Sequence, residues 1–167
     1  MQYSIHRRGF IAAAAAAASG WAAAKPGMYL SLNSTLTSGG KLAWPEFARL
    51  AARTGYGGVD LNLGAAMKEG VDSTRALLKE LKIKASNCGA PANLRGDDAA
   101  FQASLKRTEE AAQFAAAIDC PRMAAVIMSG SDTPKAELRK QMKDRLTAVG
   151  EVLQRHKVRL GLEFLGP

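Results

Sequence analysis

Two stretches of this chain alternate apolar and polar residues with the period of two expected of half-buried strands: Val59-Asp60-Leu61-Asn62-Leu63 and Leu160-Gly161-Leu162-Glu163-Phe164. Three further short runs, Met28–Asn33, Ile83–Cys88 and Met123–Met128, have the composition of strands. The segments between them have helical spacing. Helix one starts at Trp44-Pro45, with proline suited to a first turn, and places Trp44, Phe47, Ala48 and Ala51 on one face before Gly55 closes it. Helix two takes Asp72 as its N-cap and carries Leu77, Leu78 and Leu81. Helix three opens at Asp97-Asp98, buries Phe101, Leu105, Ala112 and Ala115, and stops at Cys120-Pro121. Helix four opens at Thr133-Pro134 and carries the stripe Leu138, Met142, Leu146, Val149, Leu153.

The pattern is β-α four times, then a fifth strand. Such alternation predicts a parallel sheet with right-handed crossovers, either an open doubly wound sheet or a barrel. Strands two and five separate the two. Their apolar residues can face helices, which leaves Asp60, Asn62, Gly161 and Glu163 pointing to a common interior. Strand one adds Ser31 and Asn33. Strand four is apolar throughout and strand three is ambiguous. A doubly wound sheet calls for more continuous apolar runs. No G-x-G-x-x-G follows strand one, where Thr35-Leu36-Thr37-Ser38-Gly39-Gly40 stands instead. The expected fold class is therefore α/β of the (β/α)8 TIM-barrel type, with the first four βα units plus strand five present. A full barrel takes roughly 250 residues. The expectation is a truncated barrel over residues 25–167, and the rival is a half-barrel that dimerises, so a homo-oligomer stays open.

The first 24 residues read differently. Arg7-Arg8, then Phe10, a short alanine-rich apolar run and the ending Ala22-Ala23-Ala24 make a secretory signal. The paired arginines and the weak apolar run resemble the twin-arginine type. The run is shorter than the roughly 20 residues of a spanning helix, so a membrane anchor ranks second. Cleavage would leave Lys25 first, and the resemblance implies export to the periplasm with no stable anchor afterwards.

Composition changes this picture little. The chain is 47% hydrophobic, as globular domains are, and carries +8, of which +6 stays once Arg7 and Arg8 are removed. Lys135, Arg139, Lys140, Lys143 and Arg145 are spread along a helix without aromatics between them, which reads as a solvated face. Nucleic acid is not expected as a partner. The two cysteines, Cys88 and Cys120, fall at opposite ends of a barrel on this layout, so both are expected as free thiols. His156 stands alone near a helix end, where a surface role is the default.

Gly55-Tyr56-Gly57-Gly58-Val59-Asp60-Leu61 resembles the strand-two stretch of the xylose-isomerase-like sugar isomerase/epimerase superfamily. Trp44-Pro45-Glu46-Phe47-Ala48-Arg49-Leu50-Ala51 is similar to its first helix, and Leu160–Pro167 to its fifth strand. The resemblance implies that Glu163 binds a divalent metal (Mn, Mg, Co or Zn) and, in epimerases, removes a proton beside a sugar carbonyl. That chemistry is coherent: a metal polarises the carbonyl, and a carboxylate moves the proton. The alternative is that Glu163 pairs with a Lys or Arg inside the barrel. The family's other ligands, an Asp, a His and a Glu, come from later strands, and none of those strands is in this sequence. Asn33, Asn62 and Cys88 are the candidate sugar-lining residues. Asp60 belongs deeper, in a hydrogen-bond network, while Trp44 and Phe47 belong to helix packing.

Three functions compete. The first is a metal-dependent sugar isomerase/epimerase, of which this chain alone is expected to be inactive. The second is a non-catalytic exported barrel that binds sugar or a partner. The third is a metal-dependent hydrolase of the abasic-site endonuclease type, disfavoured because such sites use many histidines and only His156 follows the signal.

Overall fold

The structure, a computed structural model, describes residues 27–38, 40–128, 130 and 132–166. The signal-like segment 1–24 lies outside the described residues. The chain divides into Met1–Leu30 and Ser31–Pro167, and the helices and strands of the described residues all belong to the second unit. Its elements are β1 (Ser31–Asn33), α1 (Ser34–Ser38), α2 (Trp44–Arg53), β2 (Gly58–Leu61), α3 (Leu63–Glu69), α4 (Val71–Leu81), β3 (Lys84–Gly89), α5 (Asp98–Ala117), β4 (Arg122–Met128), α6 (Lys135–Arg155) and β5 (Arg159–Leu165). The five strands form one sheet in the order β1-β2-β3-β4-β5, parallel throughout. The fold is α/β, a partial TIM barrel of four βα units and a fifth strand, as the hydrophobic pattern predicts.

One face of the sheet is closed by helices. Val59, Leu61, Ala85, Met123 and Ala125 are buried there, packed in one cluster with Phe47, Phe101, Val149 and Leu153 from the helices. Trp44 is buried with them, so both aromatic residues of helix one are core, as expected. The alternate strand residues face the open side, which is the inner wall of the barrel.

The four helix-to-strand turns are built alike. After α2, α4, α5 and α6 the chain passes through positive φ at Gly55 (85°), Lys82 (54°), Asp119 (58°) and Lys157 (58°). The next residue's N–H then returns to a carbonyl of the last turn: Tyr56 to Ala51, Ile83 to Leu78, Cys120 to Ala115 and Val158 to Leu153, at 2.8–3.1 Å. This is the Schellman pattern, and the residue after the left-handed position turns into the core. Only the first of the four uses the glycine that the conformation favours.

Several boundaries differ from the sequence reading. Strand one is three residues long and strand two ends at Leu61: Asn33, still paired with Asp60, closes β1 while capping the unforeseen short helix α1, and Asn62 leaves the ladder to cap α3. Helix two starts at Val71 with Gly70 at its cap, so Asp72 sits in the first turn. Helix four starts at Lys135 with Pro134 at the cap position. Helix three is capped by Asp97, whose Oδ1 accepts from the Ala100 N–H at 2.7 Å, as expected.

A register shift between Val59 and Asp60 resolves the ambiguity of strand three. Ala85 pairs with Val59, but Asn87 pairs with Asp60 and Cys88 with Leu61. Ser86 is the extra residue of this bulge, buried with no hydrogen-bond partner for its Oγ among the described residues. Beyond it, Asn87 faces the open wall and Cys88 the helices. β4 is staggered forward: only Cys88 and Gly89, the end of β3, pair with Met123 and Ala124, near its start. Barrel strands are offset in this way by their shear.

Candidate active site at the carboxyl ends of the strands

Parallel strands deliver all their carboxyl ends to one side, where barrel enzymes build their sites. On the inner wall, Asn33 pairs with Asp60, and Asp60 with Asn87. Ser31 Oγ donates to Asp60 Oδ1 at 2.7 Å, so Asp60 is held in a hydrogen bond to the neighbouring strand, as its deeper position implies. Asn87, on the same wall, is a polar residue the sequence reading passed over; only the bulge puts it there.

Glu163 lies on β5 in register with Val126 and is exposed on the inner wall. Among the described residues its carboxylate joins no ion pair and accepts no hydrogen bond. The alternative of an internal Lys or Arg partner finds none among the described residues. Asn33 and Asn62 both stand at strand ends, yet their amide oxygens are occupied. Asn33 Oδ1 accepts from the Thr35 and Leu36 N–H groups at 2.9 and 3.0 Å, and Asn62 Oδ1 from Ala65 at 3.1 Å. Asn62 also lines a cavity of about 460 Å³ with Ser34, Gly89, Pro91, Arg107 and Glu110. Cys88 is not on the wall: it is 1% exposed, in the core between sheet and helices. The bulge explains the correction, since without it strict alternation would have turned Cys88 inward.

Two arginines shape the rim, and neither was singled out by the sequence. Arg95, in the loop after β3, donates through both Nη atoms to the carbonyls of Met128 and Gly130, tying that loop to the end of β4. Arg145, read above as solvated, is buried. It donates to the carbonyls of Leu94 (2.9 Å) and Gly96 (2.7 Å) and to Asp98 Oδ1 (2.7 Å), with its guanidinium 4.9 Å from the Phe101 ring centre. It fixes both sides of the loop that holds Arg95. His156, expected at the surface alone, is half-buried and shares Glu109 with Arg155.

The chain's resemblance to known proteins agrees with this geometry. The model of the xylose isomerase-like TIM barrel family matches residues 48–167. The chain belongs to that family. Among solved structures, a xylose isomerase domain protein from Alicyclobacillus acidocaldarius is 24% identical with a TM-score of 0.72, covering 82% of this chain and 50% of its own. The IolI protein, solved with a bound zinc atom, is 16% identical with a TM-score of 0.73, covering 83% and 52%. D-psicose 3-epimerase from Clostridium cellulolyticum H10, solved with D-tagatose, is 10% identical with a TM-score of 0.67, covering 81% and 52%. No curated protein matches. The chain thus spans about half the length of the family structures it matches.

A divalent metal needs several oxygen or imidazole ligands in one place. Among the described residues no group of three or more His, Cys, Asp or Glu converges. Glu163 by itself does not fit a metal site. Among the described residues no helix is long and apolar enough to cross a membrane.

Proposed function

We propose that this family member is built for proton transfer beside a sugar carbonyl, as a sugar isomerase or epimerase, with Glu163 as the carboxylate that moves the proton. One observation carries the reading: an unpaired, solvent-reachable carboxylate near the carboxyl end of a barrel strand, on the inner wall. A general base must be free to accept and return a proton, and a salt-bridged or buried-satisfied glutamate would not be. The epimerase among the similar structures supports the substrate class, a ketose or related sugar. Asn33 and Asn62 would contribute amide N–H groups to sugar hydroxyls at the rim, since their oxygens are already used. Asp60, held by Ser31, shapes the floor. Cys88 takes no part in sugar binding. Any metal that activates the carbonyl requires ligands from outside the described residues. The signal-like Arg7-Arg8 segment belongs to the same reading, with the protein exported by the twin-arginine route.

The test is a fused chain. Residues 25–167 are joined to the second half of D-psicose 3-epimerase, and exchange of the ketose proton beside the carbonyl is followed by NMR in deuterated water with Mn²⁺. Exchange is expected. Glu163→Gln should reduce it by about 10²–10⁴-fold, the usual worth of a positioned base. A folded fusion in which Glu163→Gln exchanges as fast as its parent would end the proposal.

A further inference from the structure

We propose that Cys88 and Cys120 are a preset cross-linking site, closing an intramolecular disulfide that clamps the end of β3 to the start of β4. The stagger of the sheet brings them together. Cys88 is the ladder partner of Met123, and both side chains point to the helix-packed face. Cys120 precedes Met123 by three residues, just ahead of β4. Its backbone is fixed by the 2.8 Å bond to the Ala115 carbonyl, which rotates its side chain into the core. Its Sγ then folds back to 3.5 Å from the carbonyl of Arg122, the residue next to Met123. Each cysteine is 1% exposed, both belong to one buried cluster, and both are free thiols in this structure. The pairing is long-range in sequence and short-range in space, the condition under which a disulfide removes most freedom from the unfolded chain.

In the folded chain the neighbouring Cys88 holds the Cys120 thiol below its ordinary range, while Cys120 and burial push Cys88 up. Exchange begins at one of the two sulfurs, for instance Cys120. Its thiolate attacks a small-molecule disulfide, releasing one thiol of the oxidant and leaving a mixed disulfide on Cys120. The Cys88 sulfur, losing its proton, attacks Cys120 Sγ and releases the second thiol. Two protein thiols are oxidised and one oxidant disulfide is reduced to two thiols. Because both sulfurs are shielded in the folded chain, exchange takes place before the core closes or during its local opening.

The full chain is refolded from denaturant in a reduced/oxidised glutathione buffer and, separately, under full reduction. Thiols are then counted in denaturant, and an unreduced digest is analysed by mass. The expected result is no titratable thiol, a Cys88 peptide linked to a Cys120 peptide, and a melting midpoint about 5 °C or more above that of the reduced chain. Two free thiols, glutathione adducts in place of the link, or a link that lowers the midpoint would each overturn the proposal. Cys120→Ser should leave one thiol that only forms an adduct. The count is repeated on never-unfolded chain held with oxidised glutathione in urea below its midpoint, so that a refolding failure still leaves a decisive reading.

Discussion

Arg145 spends its charge inside the protein, on two loop carbonyls and on the exposed Asp98. Truncation would strand the carbonyls of Leu94 and Gly96 beneath the loop. Arg145→Ala is expected to cost about 2 kcal/mol in urea unfolding, and Arg145→Lys to recover little, since an ammonium cannot span three acceptors in one plane. Glu109 makes a different prediction. His156 and then Arg155 hold its carboxyl below the ordinary 4.5. A lowered folded value means stabilisation that is complete above the unfolded value and lost as pH falls through the folded one. The melting midpoint should therefore drop below about pH 4.5 more steeply in the parent chain than in Glu109→Gln; equal slopes would remove Glu109 from the account. Both residues were poorly legible. Arg145 lies one turn from both Met142 and Val149, on the flank of the apolar stripe, and that spacing was the available signal; its charge outweighed it. The partner of His156, Glu109, lies on another helix, beyond any local pattern. Glu163 was legible because period-two alternation alone aims it at the inner wall.

The four long helices were read almost to their ends, because each carries a face of apolar residues that only one period fits. The short helices α1 and α3 were not, since five and seven residues show no period and their capping asparagines look like strand residues. The repeated left-handed exits were legible at Gly55 alone. At Lys82, Asp119 and Lys157 a side chain occupies a conformation that glycine adopts without penalty. Lys157→Gly should accordingly raise stability by about 0.5–1 kcal/mol in denaturant unfolding, although glycine inside a helix would do the opposite. A loss of stability would show that the lysine stem contributes more by packing than it costs in backbone strain.

On the scale of the molecule, five parallel strands make a wall with the polar residues of β1, β2, β3 and β5 on its open side. On the other side of β5, Leu162 and Phe164 are 45% and 73% exposed. A lone carboxylate on such a wall does not assemble a metal site, so the 167-residue chain given saturating Mn²⁺ and a ketose should show no turnover above the blank. Measurable conversion would mean that the described residues suffice. Strand order and parallel direction followed from the βα alternation. The bulge in β3 did not, because an unpaired Ser86 leaves no mark on composition. That single residue works like a change of reading frame within a strand. Upstream of it one parity of positions belongs to the wall, and downstream the other does. Were the strand to straighten at unchanged length, Cys88 would replace Asn87 on the open side and wall and core would both be remade, whereas loss of Ser86 together with the bulge would leave each where it is.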